Sequence, residues 1–285
     1  MSPRRNARAL TPRPARRPAA GKTRALGQHF LADDAVAERV VALVVPTSRD
    51  LVVEIGPGQG ALTGRLARAA GRLIALEVDP VFAGALSQRF AEAPHVEIRL
   101  DDARGFDYAS LPALKPDPAG RALIVGNLPY SVGKPILQAL VEAGTAVDEM
   151  ALMLQKEVAE RVAAPPGGKT YGSLSVLTQI ACEPYLAFTV PPGAFRPPPQ
   201  VDSAVLHLRA RREPLVPATE AAGFRAMVLA AFSQRRKSLA NSLAAGLAMS
   251  AERTRALCES AGIDPGRRAE TLSLEEFTRL GRGLL

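Results

Sequence analysis

The sequence predicts an α/β fold, a doubly wound sheet followed by a small all-helical domain. Short apolar runs rich in β-branched residues are typical of parallel strands covered on both faces, and they alternate with helical segments. The predicted strands are 51–55, 73–78, 96–100, 122–125 and 150–154. Helices are expected at 62–70, 81–90 and 156–163, and a closing pair of strands at 186–190 and 203–208. A proline-rich stretch, 191–199, separates the two strands of that pair.

The pattern changes after about residue 212, where no further strand is predicted. Phe224, Met227, Val228, Ala231 and Phe232 follow the i, i+3, i+4, i+7, i+8 spacing of an apolar helix stripe. Helices are also predicted at 252–261 and 274–284, the last one beginning with a capping box made by Ser273 and Glu276. We therefore divide the chain into a basic tail (1–25), an α/β domain (26–212) and a helical domain (213–285).

The composition is that of a globular protein, and its excess charge lies at one end. The net charge is +8, and residues 1–25 hold eight Lys and Arg residues and no acid, so the remainder is neutral. This tail is predicted to be disordered, either as an arm that binds nucleic-acid phosphates or as a solvated tail; a mitochondrial transit peptide is a third reading. Cys182 and Cys258 lie far apart, which argues against a disulfide framework or a zinc site and fits the cytoplasm. No signal peptide or membrane helix is predicted.

A glycine-rich turn follows the first strand, and acids end the next two. The turn, residues 54–60, contains Gly56 and Gly58, and glycines let a backbone approach a ligand at a helix start. The spacing is not a complete GxGxxG, which disfavours a dinucleotide. Glu77, about 20 residues on, is suited to the ribose hydroxyls of an adenosine, and Asp102 to the adenine amino group. Together, the glycine-rich turn, Glu77 and Asp102 favour an adenosine-containing cofactor.

The fourth strand ends in Asn127-Leu128-Pro129-Tyr130. An exocyclic adenine amine is a poor nucleophile, and a site that methylates it is expected to hold both N–H bonds with acceptors. The Asn127 side-chain carbonyl and the Leu128 backbone carbonyl suit that task, Pro129 stiffens the turn, and Tyr130 offers a ring to stack on the base. Phe195, in the proline-rich stretch, is either a second stacking ring or a core residue.

Segments along most of the chain make a resemblance visible. Over residues 22–280 the sequence resembles the KsgA-type small-subunit ribosomal RNA adenine dimethyltransferases. The segments that carry this resemblance are 26–31, 54–58, 127–130, 153–161, 169–172, 195–199, 201–205, 232–237 and 262–265.

The resemblance implies a Rossmann-like class I methyltransferase sheet with a small all-α C-terminal domain. It also implies S-adenosyl-L-methionine as cofactor, no metal, and dimethylation of two adjacent adenines in a hairpin near the 3′ end of 16S ribosomal RNA within the immature 30S subunit. In the family a segment matching Gln28, His29 and Leu31 closes over the cofactor. Two departures are His29 and Ser131, where the family often has Asn; the role of Ser131 stays open.

Alternatives and partners follow from the same residues. The alternatives are a 23S ribosomal RNA adenine dimethylase of the macrolide-resistance type, a non-catalytic RNA-binding assembly factor and an NAD-dependent dehydrogenase. Because the body is charge-neutral, RNA binding is expected from local patches: the tail, Lys156, Lys169 and the cluster Arg235-Arg236-Lys237, placed on the solvent side of its helix. The protein is expected to be a monomer.

Overall fold

The computed structural model describes residues 29–284, and its centre is a seven-stranded mixed sheet. The strands are β1 (Phe30–Leu31), β2 (Leu51–Ile55), β3 (Arg72–Glu77), β4 (Val96–Leu100), β5 (Ala122–Asn127), β6 (Glu149–Gln155), β7 (Cys182–Val190), β8 (Phe195–Arg196) and β9 (Ser203–Ala210). The sheet order is β4-β3-β2-β5-β6-β9-β7, with β2 to β6 parallel and β9 antiparallel to both neighbours. From β2, the next strands are added toward one edge of the sheet (β3, β4) and the later ones toward the other (β5, β6), so the strand order switches between β2 and β5. Open α/β sheets bind ligands at such a switch point. The predicted α/β class is thus confirmed.

Helices cover both faces of the sheet. They are α1 (Asp34–Val44), α2 (Thr63–Ala69), α3 (Pro80–Arg89), α4 (Leu111–Leu114), α5 (Gly133–Glu142), α6 (Lys156–Val162) and α7 (Ser173–Gln179). Alternate residues of β2 point to opposite faces: Val53 joins the cluster that contains Leu140 of α5, and Val52 joins the cluster that contains Val40 of α1 and Leu66 of α2. Both faces are therefore buried, as the unbroken apolar runs predict.

A short strap, which we define as residues 29–31, lies outside the main sheet. Its strand β1 pairs antiparallel with β8, with Phe30 opposite Arg196 and Leu31 opposite Phe195. The pairing continues where the Ala32 N–H donates to the Ala194 carbonyl at 2.8 Å. The strap thereby joins the start of the described chain to the proline-rich stretch 191–199.

The C-terminal part is helical, as predicted. Its helices are α8 (Ala221–Ala231), α9 (Leu239–Leu247), α10 (Ala251–Ser260) and α11 (Leu274–Leu284). The stripe of α8 forms its core, with Phe224, Met227 and Val228 buried. The capping box is present: the Glu276 N–H donates to Ser273 Oγ at 3.2 Å, and the Ser273 N–H donates to Glu276 Oε2 at 2.8 Å.

The connection between the two parts contains the predicted boundary at 212–213, since β9 ends at Ala210 and α8 begins at Ala221. The helical core also includes Tyr171 and Val176, from before that boundary. The two parts therefore share one packed interface. The basic tail lies outside the described residues.

The cluster Arg235-Arg236-Lys237 does not lie on a helix, which corrects the prediction. Helix α8 ends at Ala231, and the three residues lie in the turn before α9, where all three are exposed. Phe232, the last residue of the predicted stripe, ends that helix and stacks on Phe277 at a centroid distance of 5.7 Å. Solvent exposure of the cluster is confirmed, but a loop rather than a helix face presents it.

Within residues 29–284 no helix has the length and apolarity that a bilayer span requires.

Candidate active site

A cleft of about 700 Å³ opens at the carboxyl ends of β2, β3, β4 and β5. Each strand delivers residues to it because parallel strands end at one edge of a sheet. The strap covers one side. The lining residues are His29, Phe30, Ile55, Gly56, Gly58, Leu76, Glu77, Val78, Asp101, Asp102, Ala103, Asn127, Leu128, Pro129, Tyr130, Val132 and Ile136. The residues predicted from separate strand ends are thus brought together, with the exceptions given below.

The glycine-rich turn after β2 is shaped for close approach. Gly56 and Gly58 have φ values of 66° and 52°, in the left-handed region that favours glycine. A Cβ atom on Gly58 would lie 2.8 Å from Cδ1 of Phe30, so any larger residue would push the strap away. Glycine at position 58 therefore lets the strap rest directly on the turn.

Glu77, at the end of β3, is held in place by two backbone N–H groups. Its Oε2 accepts from Gly58 at 3.0 Å and its Oε1 accepts from Asp79 at 2.9 Å. The side chain is 2% exposed, yet it lines the cleft. This fixes an acceptor-only group beside the turn, with lone pairs left for hydroxyl donors.

Asp102, after β4, forms a two-point ion pair with Arg104. Arg104 Nη2 lies 2.6 Å from Asp102 Oδ2, and Nε reaches both carboxylate oxygens. The hydrogen bonds from Arg104 lower the pKa of Asp102. Asp102 is therefore an ionised acceptor at neutral pH, and an adenine amino group there would share it with Arg104.

The strap sets the orientation of Asn127 at the end of β5. Asn127 Nδ2 donates to the His29 carbonyl oxygen at 2.8 Å, which leaves Oδ1 as the free end of the amide. In turn, His29 Nδ1 donates to the Pro197 carbonyl at 2.8 Å. The strap and the proline-rich stretch thus fix which amide atom is available as an acceptor.

Leu128, Pro129 and Tyr130 complete this corner. Within residues 29–284, no N–H donates to the Leu128 carbonyl oxygen or to Asn127 Oδ1. The Pro129 carbonyl accepts from the Val132 and Gly133 N–H groups, which closes the turn into α5. Tyr130 is half-buried, its hydroxyl lies 2.7 Å from Ser203 Oγ, and burial raises its pKa. Two acceptors and one ring therefore meet at the cleft.

Two of the predicted contacts lie deeper than the sequence suggested. Phe195 is 1% exposed and belongs to the core beneath the β1–β8 pair, together with Leu31 at 7%. Neither lines the main cleft, although Leu31 borders a smaller adjoining cavity. Stacking of Phe195 on a base stays a prediction that requires its ring to become exposed. Gln28 lies outside the described residues, and Ser131 is exposed beside the cleft without lining it.

Sequence reasoning overlooked Glu54 and Phe30. Glu54 is the charged residue of β2, whose other members are apolar, and it is 1% exposed. Phe30 packs on Phe82 at a centroid distance of 5.0 Å and forms part of the cleft wall. A carboxyl group within an otherwise apolar strand was the available signal for Glu54; nothing local marked Phe30.

A second, basic cleft of about 1100 Å³ lies between the sheet domain and the helical domain. Its cationic residues are Lys134, Arg161, Lys169 and Arg235. Arg235 Nη2 donates to the Lys169 carbonyl at 2.9 Å, which joins the exposed cluster to residues before α7. Lys156, another predicted RNA contact, lies 3.8 Å from Asp202 and does not line this cleft.

Within residues 29–284, no group of three or more His, Cys, Asp and Glu side chains is placed to hold a metal ion.

Comparison with known proteins identifies the family. The model of the ribosomal RNA adenine dimethylase family matches residues 20–282. The ribosomal RNA small subunit methyltransferase A of Nitrosococcus oceani is 44% identical over 256 residues, covering 90% of this chain and 93% of the relative. Its counterpart in Geobacter metallireducens is 42% identical, covering 92% and 95%.

Solved structures agree on the fold. The crystal structure of the 23S rRNA methyltransferase ErmE aligns with a TM-score of 0.67 at 26% identity, covering 90% of this chain and 99% of that one. A dimethyladenosine transferase from Plasmodium falciparum aligns with a TM-score of 0.75 at 21% identity, covering 88% and 96%. A match over nearly the whole chain, with a cleft at the switch point of the sheet, shows that this protein belongs to the ribosomal RNA adenine dimethylase family.

Proposed function

We propose that this protein transfers methyl groups from S-adenosyl-L-methionine to the N6 amino groups of two adjacent adenines near the 3′ end of 16S ribosomal RNA. The observation that carries the proposal is a pair of hydrogen-bond acceptors, Asn127 Oδ1 and the Leu128 carbonyl oxygen, to which no N–H group of residues 29–284 donates. They lie at the same sheet edge as Glu77 and Asp102. One half of the cleft suits an adenosine, and the other half suits an amine with two N–H bonds.

The residues present fit an adenosine-containing cofactor. Glu77 would accept from the ribose hydroxyls, Asp102 from the adenine amino group, and the Gly56–Gly58 turn would lie against the remainder. The strap, with Phe30 resting on Gly58, would cover it. When bound, S-adenosyl-L-methionine supplies an electrophilic methyl group on a sulfonium.

The Asn127 and Leu128 carbonyls would act on the target amine. Each accepts one N–H of adenine N6, so the nitrogen lone pair is directed away from the ring and toward the methyl donor. Both acceptors are fixed before RNA binds, Asn127 by the His29 carbonyl and Leu128 by its buried position in the turn, so they need little reorganisation during the reaction. Tyr130 would stack on the flipped base.

RNA would enter from the basic cleft. Lys134, Arg161, Lys169 and Arg235 line it, and phosphate contacts supply most of the sequence-independent affinity for nucleic acid. The exposed Arg235-Arg236-Lys237 cluster extends this surface, and the tail, residues 1–25, would add charge. We further infer a monomer that acts in the cytoplasm on the immature 30S subunit.

A 16S rather than a 23S target is favoured by the relatives. Those named small subunit methyltransferase A are 41–44% identical, whereas the 23S enzyme ErmE is 26% identical. The test is transfer of labelled methyl groups to purified immature 30S and to 50S subunits in parallel, with the Asn127→Ala variant as the inactive control. Label on 30S RNA alone is expected. Label on 50S RNA would favour the 23S alternative, and label on neither would favour a non-catalytic factor.

A further inference from the structure

The hydroxyl groups of Tyr130 and Ser203 form a hydrogen bond that links the turn after β5 to strand β9. The two oxygen atoms lie 2.7 Å apart, although 73 residues separate them in the sequence. Ser203 is completely buried, and a buried hydroxyl group without a partner is costly. In the part of the chain that the structure describes, Tyr130 is the partner that meets this need.

Ser203 is held in place from both sides. It is the first residue of β9, and it lies opposite Gln155 of β6 and opposite Val190 of β7 in the two antiparallel ladders. Beside it, the Lys156 N–H donates to the Asp202 carbonyl oxygen at 3.0 Å. Because strand pairing fixes the backbone on both sides, the Ser203 hydroxyl is a rigid anchor for the Tyr130 side chain.

The Tyr130 ring extends from this anchor into the cleft. The ring is half-buried and lines the cleft, and its centroid lies 5.5 Å from that of the His29 ring. Burial raises the pKa of the Tyr130 hydroxyl; the hydrogen bond with Ser203 lowers it, and the negative charge of Asp202 raises it. The net pKa lies above its ordinary value, so the hydroxyl is protonated at neutral pH and acts as an anchor rather than as a base.

The two methyl transfers of the proposed function make different demands on this site. An unmethylated N6 has two N–H bonds, and the Asn127 and Leu128 carbonyls can accept both. After the first transfer N6 has one N–H bond, so at most one of these two hydrogen bonds remains to orient the base. Stacking on Tyr130 then contributes a larger share of the orientation.

We propose that Ser203 is a positioning residue, which holds the Tyr130 ring in the orientation that the second methyl transfer requires. This inference rests on the proposed function, because it requires an adenine stacked on Tyr130. In the second transfer the N6 lone pair forms a bond to the methyl carbon, the carbon–sulfur bond breaks with its electron pair left on sulfur, and the remaining N6 proton passes to solvent. Ser203 touches none of these atoms and acts through Tyr130.

Single-turnover methylation of immature 30S subunits tests the proposal. The full chain is used in excess with S-adenosyl-L-methionine, and mass spectrometry of the target RNA fragment follows N6-methyladenine and N6,N6-dimethyladenine over time, which gives both rate constants. Ser203→Ala should slow the second transfer by about 3- to 10-fold and the first by about 2-fold or less, since two N–H bonds still orient the unmethylated amine. N6-methyladenine should therefore accumulate.

Further variants separate positioning from packing. Tyr130→Phe removes the other hydroxyl and should cause the same accumulation, and the double variant should be no slower than the slower single variant. Ser203→Thr keeps a hydroxyl and should restore the wild-type product ratio. Thr254→Val, which removes a buried hydroxyl in α10 outside both clefts, is the matched control and should behave as wild type.

Thermal unfolding checks that each variant is folded. Because the Tyr130 side chain is only half-buried, Tyr130→Phe tests the same hydrogen bond if a Ser203 variant does not fold.

The outcomes separate this inference from the proposed function. Unchanged rates or equal slowing of both transfers, a double variant whose loss is the product of the two single losses, or a folded Ser203→Thr that accumulates N6-methyladenine as Ser203→Ala does would each overturn the role of Ser203. All of these leave the proposed function intact. Absence of methyl transfer by wild type would instead overturn the proposed function.

Discussion

Replacing Glu54 by Gln should make the cofactor-free protein more stable, and increasingly so as the pH rises. In the unfolded chain this carboxyl ionises near its ordinary pKa of 4.5, whereas in the folded protein burial raises the pKa to about 8. Between these values the folded state holds a proton that the unfolded state has lost, so wild-type stability falls with increasing pH. Linkage over pH 5 to pH 8 gives a loss of about 3–4 kcal/mol, an order-of-magnitude figure for a fully buried group. Glutamine does not titrate and avoids this loss.

Urea unfolding of both proteins at pH 5 and pH 8, without cofactor, tests this reasoning. The stability difference between Glu54→Gln and wild type should grow by several kcal/mol from the lower to the higher pH. Other titrating groups are shared and cancel in the difference. Glu92→Gln, which replaces an exposed glutamate, should show no such growth. A stability difference that is the same at both pH values would mean that the Glu54 carboxyl is ionised or paired in the folded protein, and would contradict the prediction.

Three further predictions concern the clefts. Glu77→Ala should weaken S-adenosyl-L-methionine binding by about 1–3 kcal/mol in calorimetry, since a charged acceptor is lost and the Gly58 N–H loses its partner; unchanged affinity would refute the ribose assignment. Asn127→Ala should lower the single-turnover methyl-transfer rate far more than RNA affinity, because its carbonyl orients the amine in the transition state; rates near wild type would show a structural role only. Neutralising Arg235-Arg236-Lys237 should weaken 30S binding while leaving cofactor affinity unchanged. The slope of the logarithm of 30S affinity against the logarithm of salt concentration should become shallower by roughly 1–3. An unchanged slope would mean that the RNA contacts lie elsewhere.

The parallel strands could be predicted because burial on both faces leaves a continuous apolar signal. The runs at 51–55 and 96–100 match β2 and β4 residue for residue, and the others differ by a few residues at their ends. Strand β7 is longer than predicted, beginning at Cys182 rather than at 186, because it is an edge strand whose exposed side accepts polar residues such as Glu183. Such a strand does not give an unbroken apolar run.

Short elements stabilised by tertiary contacts could not be predicted. The two-residue strand β1 exists through its pairing with β8, more than 160 residues later in the chain, and no local pattern encodes that partner. The same pairing places Phe195 in the core, so that its side chain faces Leu31 rather than the cleft. The turn that holds Arg235 begins where α8 ends at Ala231, a helix end without glycine or proline to mark it.

The residues of the candidate active site could be predicted where a polar side chain stands at the end of a strand. Glu77 and Asn127 stand directly at the ends of β3 and β5, so the fold class alone brings them together. The orientation of the Asn127 amide was not predictable, since it depends on the His29 carbonyl. Glu54 was the opposite case: its strand was predicted, but its near-complete burial, at 1% exposure, is a property of the packed structure.

The most direct test of the account is a base-resolution methylation map of small-subunit RNA after incubation of immature 30S subunits with the protein and S-adenosyl-L-methionine. Wild type should convert two adjacent adenines near the 3′ end to N6,N6-dimethyladenine, and Asn127→Ala should leave both unmodified under conditions in which it still binds 30S. Methyl groups on another base or on the ribose, or an Asn127→Ala map identical to that of wild type, would contradict the claim that the paired carbonyl acceptors present adenine N6 for methylation.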